Sequence, residues 1–241
     1  MATVKQHYEE VLADVYSWMY GGFENGLQRN REFIAKHRLT PKRSAIAVDL
    51  GAGSGFQSIP IAEAGYQVTA IDLSARLLDE LKTNSKGLPI NVVQGDLLEF
   101  DSIVNNKPEL IVCMTDTIVH LDSKENVSAL FSKVFNALEP CGKFVITFRD
   151  LTHELKDHDR FIPVRSDDNT VFTCFLEYEP ETVKVHDIVY RKIDGKWNLS
   201  KSFFRKLRLS RDWVEGQLMQ FGFKILVTDF ENGFITIIGQ K

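Results

Sequence analysis

The sequence predicts an α/β fold, a doubly wound sheet of five parallel strands that ends in a C-terminal antiparallel hairpin. Three observations carry this reading. From residue 44 to 150, five short apolar runs are interleaved with helical patterns, as in a parallel sheet with helices on both faces. The first run feeds directly into Gly51-Ala52-Gly53-Ser54-Gly55, and the second ends in Asp72. Near the far end, Glu231-Asn232-Gly233 separates two strand-like runs, 224–230 and 234–239, as a hairpin turn does.

The elements follow in order. Residues 5–20 form an aromatic-rich helical pattern in which Tyr8, Val11, Leu12 and Val15 recur at helical spacing, and Gly21-Gly22 closes it. A second helix is expected over 24–37, before Thr40-Pro41. Neither belongs to the sheet. Together they form a flap over a sheet edge or a lid over a site, and the two readings are compatible. Strand 45–50 leads to helix 56–64, and strand 67–71 to helix 74–85. Ser74 is a suitable N-cap there, and Leu77, Leu78 and Leu81 mark the inner face. Strand 90–94 follows Pro89. Strand 109–114 is continuously apolar after Glu109, as a strand covered on both faces should be. The next helix begins near Asp122-Ser123, with Glu125 placed to complete a capping arrangement. Val127, Leu130, Val134 and Leu138 form its buried stripe. After the turn Glu139-Pro140-Cys141-Gly142, strand 143–149 completes the parallel set.

Beyond Asp150 the pattern changes. Runs 170–178, 183–191 and 197–209 have strand character, and Asp194-Gly195 is a hairpin signal between the last two. They form an antiparallel meander. Within it His186 and Tyr190 share one face and Arg191 takes the other; with Tyr178 they are candidates to line a pocket. Helix 211–221 precedes the closing hairpin. The expected organisation is an N-terminal helical lid over 1–43, a core over 44–150 and 210–241, and an antiparallel β insertion over 151–209 that covers a substrate site.

Composition bounds the function. The chain has 241 residues, 44% of them hydrophobic, and a formal net charge of −4, which suits one large globular domain or a domain with an insertion. Acids and bases are interspersed and no basic stripe suggests a nucleic-acid groove. There is no long apolar span and no signal-peptide pattern, so neither a membrane nor a nucleic acid is an expected partner, and a cytoplasmic location is expected. Cys113, Cys141 and Cys174 are odd in number and lack metal-type spacing, so they read as reduced thiols. His153 and His158 lie five apart, on different helical faces. No metal is expected.

The glycine loop carries the chemistry. Glycine lets backbone pass close to a ligand, and the helix that follows presents free N–H groups. An acid at the tip of the next strand accepts hydrogen bonds from ribose hydroxyls. The pair reads as a nucleoside-cofactor site. A dinucleotide fingerprint needs G-x-G-x-x-G. Counted from Gly51 the third glycine falls on Phe56, and from Gly53 on Ser58, so that spacing fails.

The run Asp49-x-Gly51-x-Gly53-x-Gly55 resembles motif I of the class I S-adenosylmethionine-dependent methyltransferases. The closing hairpin strengthens the match, which covers roughly residues 44–150 and 210–241. The N-terminal helices and the meander match only in kind. The resemblance implies a Rossmann-like fold and S-adenosyl-L-methionine as cofactor, with S-adenosyl-L-homocysteine as product. It implies that the glycine loop wraps the methionine part, that Asp72 holds the ribose with Leu73 beside it, and that Asp96 and Leu97 of Gln94-Gly95-Asp96-Leu97 contact the adenine. Asp49 would orient the loop and the cofactor amino group. Met114 and Thr115, at the tip of strand four, would accept from the methionine ammonium. Tyr16 matches in kind a tyrosine that relatives lay near the cofactor carboxylate.

Methyl transfer asks the protein for binding, alignment and a dry site. An amine need only lose its extra proton to water, whereas a hydroxyl usually needs a base, so the presence of a base bears on the acceptor. His120 is a candidate base; equally, it caps or hydrogen-bonds a loop. Asp116 is a candidate to bind an ammonium substrate or orient His120, against a polar turn residue. Arg149 ends strand five in a run, Phe144-Val145-Ile146-Thr147-Phe148-Arg149-Asp150, that resembles glycine N-methyltransferases, where such an arginine holds a substrate carboxylate bidentately. The alternative is an internal salt bridge to Asp150 or Asp116.

A small-molecule methyltransferase is therefore the leading reading, its acceptor an amine or a carboxylate-bearing metabolite. A non-catalytic S-adenosylmethionine-binding protein is opposed by intact motifs. A nicotinamide oxidoreductase is opposed by the failed spacing. A nucleic-acid methyltransferase is opposed by Met114-Thr115-Asp116-Thr117, which is not an N-P-P-Y-like tetrapeptide. Oligomeric state is not legible.

Overall fold

Apolar runs and their caps set the scaffold. The computed structural model describes residues 3–241; the first two residues of the expected lid lie outside it. The parallel strands are β1 (Ile46–Leu50), β2 (Gln67–Asp72), β3 (Ile90–Gln94), β4 (Leu110–Cys113) and β5 (Lys143–Phe148). Two further strands, β10 (Lys224–Glu231) and β11 (Phe234–Gln240), add an antiparallel hairpin on the β5 edge. The order is β10-β11-β5-β4-β1-β2-β3. Strand order reverses between β1 and β4, so the carboxyl ends of these strands open a crevice there, where open α/β sheets bind ligands.

Helices cover both faces. On one side α7 (Lys124–Ala137) and α8 (Arg211–Gln220) bury Val127, Leu130, Phe131, Val134, Val214 and Leu218 against the sheet. On the other, α3 (Phe23–Lys36), α4 (Ser58–Glu63) and α5 (Ala75–Asn84) bury Leu27, Ile34, Ile59, Ile61, Leu78 and Leu81. Serine hydroxyls cap three of these helices: Ser74, Ser123 and Ser210 accept from the N–H groups of Leu77, Asn126 and Trp213, satisfying donors that a helix start leaves free. The short α6 (Phe100–Ile103) follows β3 through a 3₁₀ turn at Leu97–Glu99.

A second sheet stands over the crevice. Its strands β6 (Phe161–Ser166), β7 (Thr170–Tyr178), β8 (Thr182–Ile193) and β9 (Lys196–Leu207) pair antiparallel in sequence order. The inner face buries Phe172, Leu176, Val183, Val185, Val189 and Phe204. The N-terminal segment seats on this face through Val11, Leu12 and Val15, each side chain worth roughly 1.5–3 kcal/mol when fully buried. His7 goes in with them, its Nε2 2.7 Å from Asp187 Oδ2.

The N-terminal pattern departs from one continuous helix. It divides into α1 (Val4–His7), a π-helical turn (Tyr8–Leu12) and α2 (Tyr16–Met19). The break at Val15 has a tertiary cause. Val11, Leu12 and Val15 are drawn onto the β insertion, while Tyr16 turns the other way and stacks on Phe56 at 5.8 Å and 9°. One straight helix does not serve both surfaces.

Candidate active site

The glycine loop is closed onto the second strand before any ligand is considered. The N–H groups of Gly51 and Ala52 both donate to the Ile71 carbonyl, at 2.8 and 3.0 Å. Gly51 has φ +81°, and a Cβ there would overlap the Thr117 side chain, so only glycine allows this approach. Asp72 reaches back across the loop. Its Oδ2 accepts from Gly53 N at 2.9 Å and its Oδ1 from Ser74 N at 2.8 Å. A carboxylate has about four lone-pair sites, so acceptor capacity remains for the cavity that Asp72 lines. Burial pushes the Asp72 carboxyl up from its ordinary value, and the backbone donors pull it back.

That cavity measures about 560 Å³, within the range of small-molecule sites. One end is a slot between Leu73, Leu77, Leu97 and Leu98, with Gly95 and Asp96 at its rim. Asp96 caps the 3₁₀ turn, accepting from Leu98 N at 2.8 Å. The middle is walled by Gly51, Gly53, Tyr16, Gln57, Thr115 and Thr117. Thr115 and Asp116 are consecutive non-glycine residues at φ +58° and +70°, a conformation that structure elsewhere must hold in place. Here the holding is visible. Thr115 N donates to Thr147 Oγ1 at 2.7 Å, Asp116 N to Thr147 O at 3.1 Å, and Gln57 Nε2 to Thr115 Oγ1 at 2.7 Å.

The far end is formed by His120, Leu121, Tyr8, Phe204, Leu207, Asn126, Asp122, Thr182 and Arg205. His120 sits on the 3₁₀ turn Thr117–His120. Its Nε2 is 3.5 Å from Tyr8 Oη, and its ring lies 5.1 Å from Phe204. Its Nδ1 is buried without a protein partner. Burial, then the charge of Lys206, lowers its pKa to about 3, so the imidazole is neutral at physiological pH. Burial raises the Tyr8 phenol well above its ordinary value. The one cation lining the cavity among the described residues, Arg205, is held by Glu179 at 2.7 and 2.9 Å.

These features fit a nucleoside cofactor that carries no phosphate. The acid has free lone pairs, the slot is apolar, the loop is bare main chain, and no cation stands beside the glycines among the cavity-lining residues. A pyrophosphate would find no counter-charge there.

Of the residues singled out from the sequence, Tyr16, Gly51, Gly53, Asp72, Leu73, Asp96, Leu97, Thr115 and His120 line this one cavity. Five others stand behind it. Asp49 is enclosed and accepts from Ser58 Oγ at 2.6 Å, and burial raises its pKa to about 7. Gly55 is where a Cβ would overlap Leu81, so it serves the approach of α5. Met114 is buried, and its carbonyl accepts from Thr117 Oγ1 at 2.8 Å. Asp116 is 2% exposed and accepts from Arg149 N at 2.7 Å, from the Arg149 guanidinium and from Lys206 Nζ at 2.8 Å. Arg149 is thus in the internal pair with Asp116, its guanidinium 3.8 Å over the Phe234 ring. Neither Arg149 nor Asp116 lines the cavity. In the meander, His186 pairs with Glu177 on the face opposite the buried valines, and Tyr178, Tyr190 and Arg191 also lie off the cavity wall.

Sequence reasoning missed Tyr8, Gln57, Thr117, Phe204 and Leu207 as wall residues. Tyr8 carried a signal, since it shares the aromatic segment with Tyr16. Phe204 and Leu207 carried none, because strand alternation does not say which sheet face meets the core.

Comparison with known proteins agrees with this architecture. Residues 47–142 match the family described as methyltransferase domain. The chain is 32% identical over 130 residues to the YqeM protein of Bacillus subtilis, covering 49% of this chain and 52% of that one. It is 27% identical over 112 residues to the glycine/sarcosine N-methyltransferase of Halorhodospira halochloris, covering 45% and 42%. These matches therefore span about half the length of either relative or less. An amino pentose methyltransferase of calicheamicin biosynthesis from Micromonospora echinaspora, solved with S-adenosylmethionine bound, superposes with a TM-score of 0.77 at 12% identity, covering 94% of this chain and 95% of that one. That likeness is one of fold.

Proposed function

We propose that this chain, whose residues 47–142 match the methyltransferase domain family, is a class I S-adenosylmethionine-dependent methyltransferase that methylates the nitrogen of a small, largely apolar amine. The observation that carries the acceptor class is the His120 imidazole. It is the one histidine on the cavity wall among the described residues, and its pKa of about 3 leaves it far too weak a base for a hydroxyl, which asks for a base poised near operating pH. A neutral amine needs no such base. It enters without its extra proton, and the proton released after transfer goes to water.

When bound, S-adenosylmethionine supplies a sulfonium-activated methyl group. Asp72 would hold the ribose hydroxyls on its remaining acceptor capacity. Leu73, Leu97 and Asp96 take the adenine, and Gly51, Gly53, Tyr16 and Thr115 take the amino-acid end. Tyr8 and His120 meet the acceptor nitrogen as hydrogen-bonding groups that carry no charge. Phe204, Leu207 and Leu121 contact its apolar body and exclude water. A carboxylate-bearing acceptor is less well supported, because Arg149 is engaged by Asp116 and Arg205 by Glu179. The N-terminal segment acts as a lid and the 151–209 insertion as a cover, since Tyr8 and Tyr16 come from the first and Phe204 and Leu207 from the second. The named nitrogen specificity of the Halorhodospira relative supports the same acceptor class.

The test is incubation with methyl-labelled cofactor and a panel of small amines, each paired with the alcohol of the same carbon skeleton. Label on amine products, with S-adenosylhomocysteine formed in equal amount, is expected. Label on alcohols alone would overturn the acceptor class.

A further inference from the structure

A lysine of the β insertion reaches across to the loop after β4. Lys206, on β9, is 13% exposed and places Nζ 2.8 Å from Asp116 Oδ2. Asp116 is the left-handed residue from which the turn Thr117–His120 starts. Its other oxygen accepts the Arg149 backbone N–H at the end of β5. Two residues before Lys206, on the same side of the strand, Phe204 packs its ring 5.1 Å from His120, and Lys206 Nζ lies 5.7 Å from that ring. One ion pair and one ring contact thus join β9 to the loop that carries Thr115, Thr117 and His120.

We propose that Lys206 is a positioning residue: its ion pair with Asp116 locks the cover sheet to the loop after β4 and so sets His120 against the acceptor. The inference rests on the methyltransferase reading above. The physical need is plain. The two walls of the cavity belong to different sheets with no strand in common, and a displacement of about 1 Å between reacting groups costs on the order of 100-fold in rate. Asp116 is held by Arg149 from its own sheet and by Lys206 from the cover sheet, so loss of Lys206 leaves the carboxylate paired but removes its tie to β9. The Asp116 carboxyl is held well below its usual range, its burial outweighed by Lys206 and Arg149. The groups facing His120 are Lys206 from β9, Asp116 from its own loop, His7 from α1 and Tyr8 from the π-helical turn. Of these, Lys206 carries the charge that bears on it most, and it opposes protonation of the ring.

The experiment compares wild type, Lys206→Gln and Lys206→Arg. His120 is followed by NMR across pH, its signal identified by loss in His120→Asn, and cofactor affinity, acceptor KM and kcat are measured alongside. The His120 midpoint is expected to rise by about one pH unit in Lys206→Gln. The same variant should lose about tenfold in kcat with S-adenosylhomocysteine Kd within threefold of wild type, and Lys206→Arg should restore most of both. An unmoved midpoint together with an unchanged kcat would overturn the proposal. Should Lys206→Gln not fold, Asp116→Asn reads the pair from the other side, with a comparable fall in kcat expected and an unchanged kcat contradicting it. The NMR midpoint needs no turnover, so a failure of the amine reading would leave the Lys206 result legible on its own.

Discussion

Asp72→Ala isolates the proposed ribose contact. The carboxylate accepts from Gly53 N and Ser74 N and keeps acceptor capacity for the cavity. Two hydroxyl hydrogen bonds to a charged acceptor contribute about 1.5–3 kcal/mol each, or about 3–6 kcal/mol together. At about 1.4 kcal/mol per decade, the variant should bind S-adenosylhomocysteine roughly 100-fold to 10,000-fold more weakly. Stability falls less. Two backbone donors lose their acceptor, but a buried charge is also removed, so the net cost is about 2 kcal/mol, or about 4–8 °C in Tm for a chain of this size. Isothermal titration calorimetry reads the affinity, and thermal unfolding without ligand reads the stability. Asp72→Asn, which keeps one acceptor oxygen and loses the charge, should fall between. A folded Asp72→Ala protein that binds within threefold of wild type would refute the ribose assignment.

Other outcomes follow from the same geometry. Gly51→Ala must displace Thr117 and adopt φ +81°, so it should lose cofactor affinity by at least about tenfold and stability by about 1–3 kcal/mol, read by calorimetry and urea unfolding. Gly55→Ala strikes Leu81 instead and should lower Tm while a folded fraction keeps its cofactor Kd. Arg149→Ala leaves Lys206 on Asp116; cofactor Kd should stay within threefold, and a large acceptor KM effect would instead support a carboxylate role for the arginine. The buried His120 has a folded pKa below its unfolded one, so its contribution to stability is present above pH 6.5 and is lost as pH falls toward 3. Asp49, raised to about 7, acts in the opposite sense, its contribution lost as pH rises from 3.8 through 7. In His120→Asn, the stability lost between pH 7.5 and pH 5 should therefore shrink by about 2 kcal/mol, measured by urea unfolding at the two pH values.

The scaffold was legible in the chain because its signals are local. Periodicity, the Ser74 and Ser123 caps and the Asn232-Gly233 turn each act within a few residues, and every core strand falls where its apolar run does. The meeting of Gly51, Gly53 and Asp72 on one cavity wall was legible for a related reason, since they lie on adjacent strands with a fixed register. The opposite wall was less so. The pairing of Arg149 with Asp116 stood in the sequence as one of two alternatives, and Lys206 carried no local signal because it reaches Asp116 from 90 residues away. The broken N-terminal helix has the same origin, since its pattern was helical and the competing surfaces on the insertion and on Phe56 were out of sight.

The most direct test of the whole account is a crystal structure with S-adenosylhomocysteine. Both ribose hydroxyls should lie within hydrogen-bonding distance of Asp72, the adenine between Leu73 and Leu97, and the sulfur should face His120 and Phe204. A nucleoside bound elsewhere, or turned so that the sulfur faces away from His120, would contradict it.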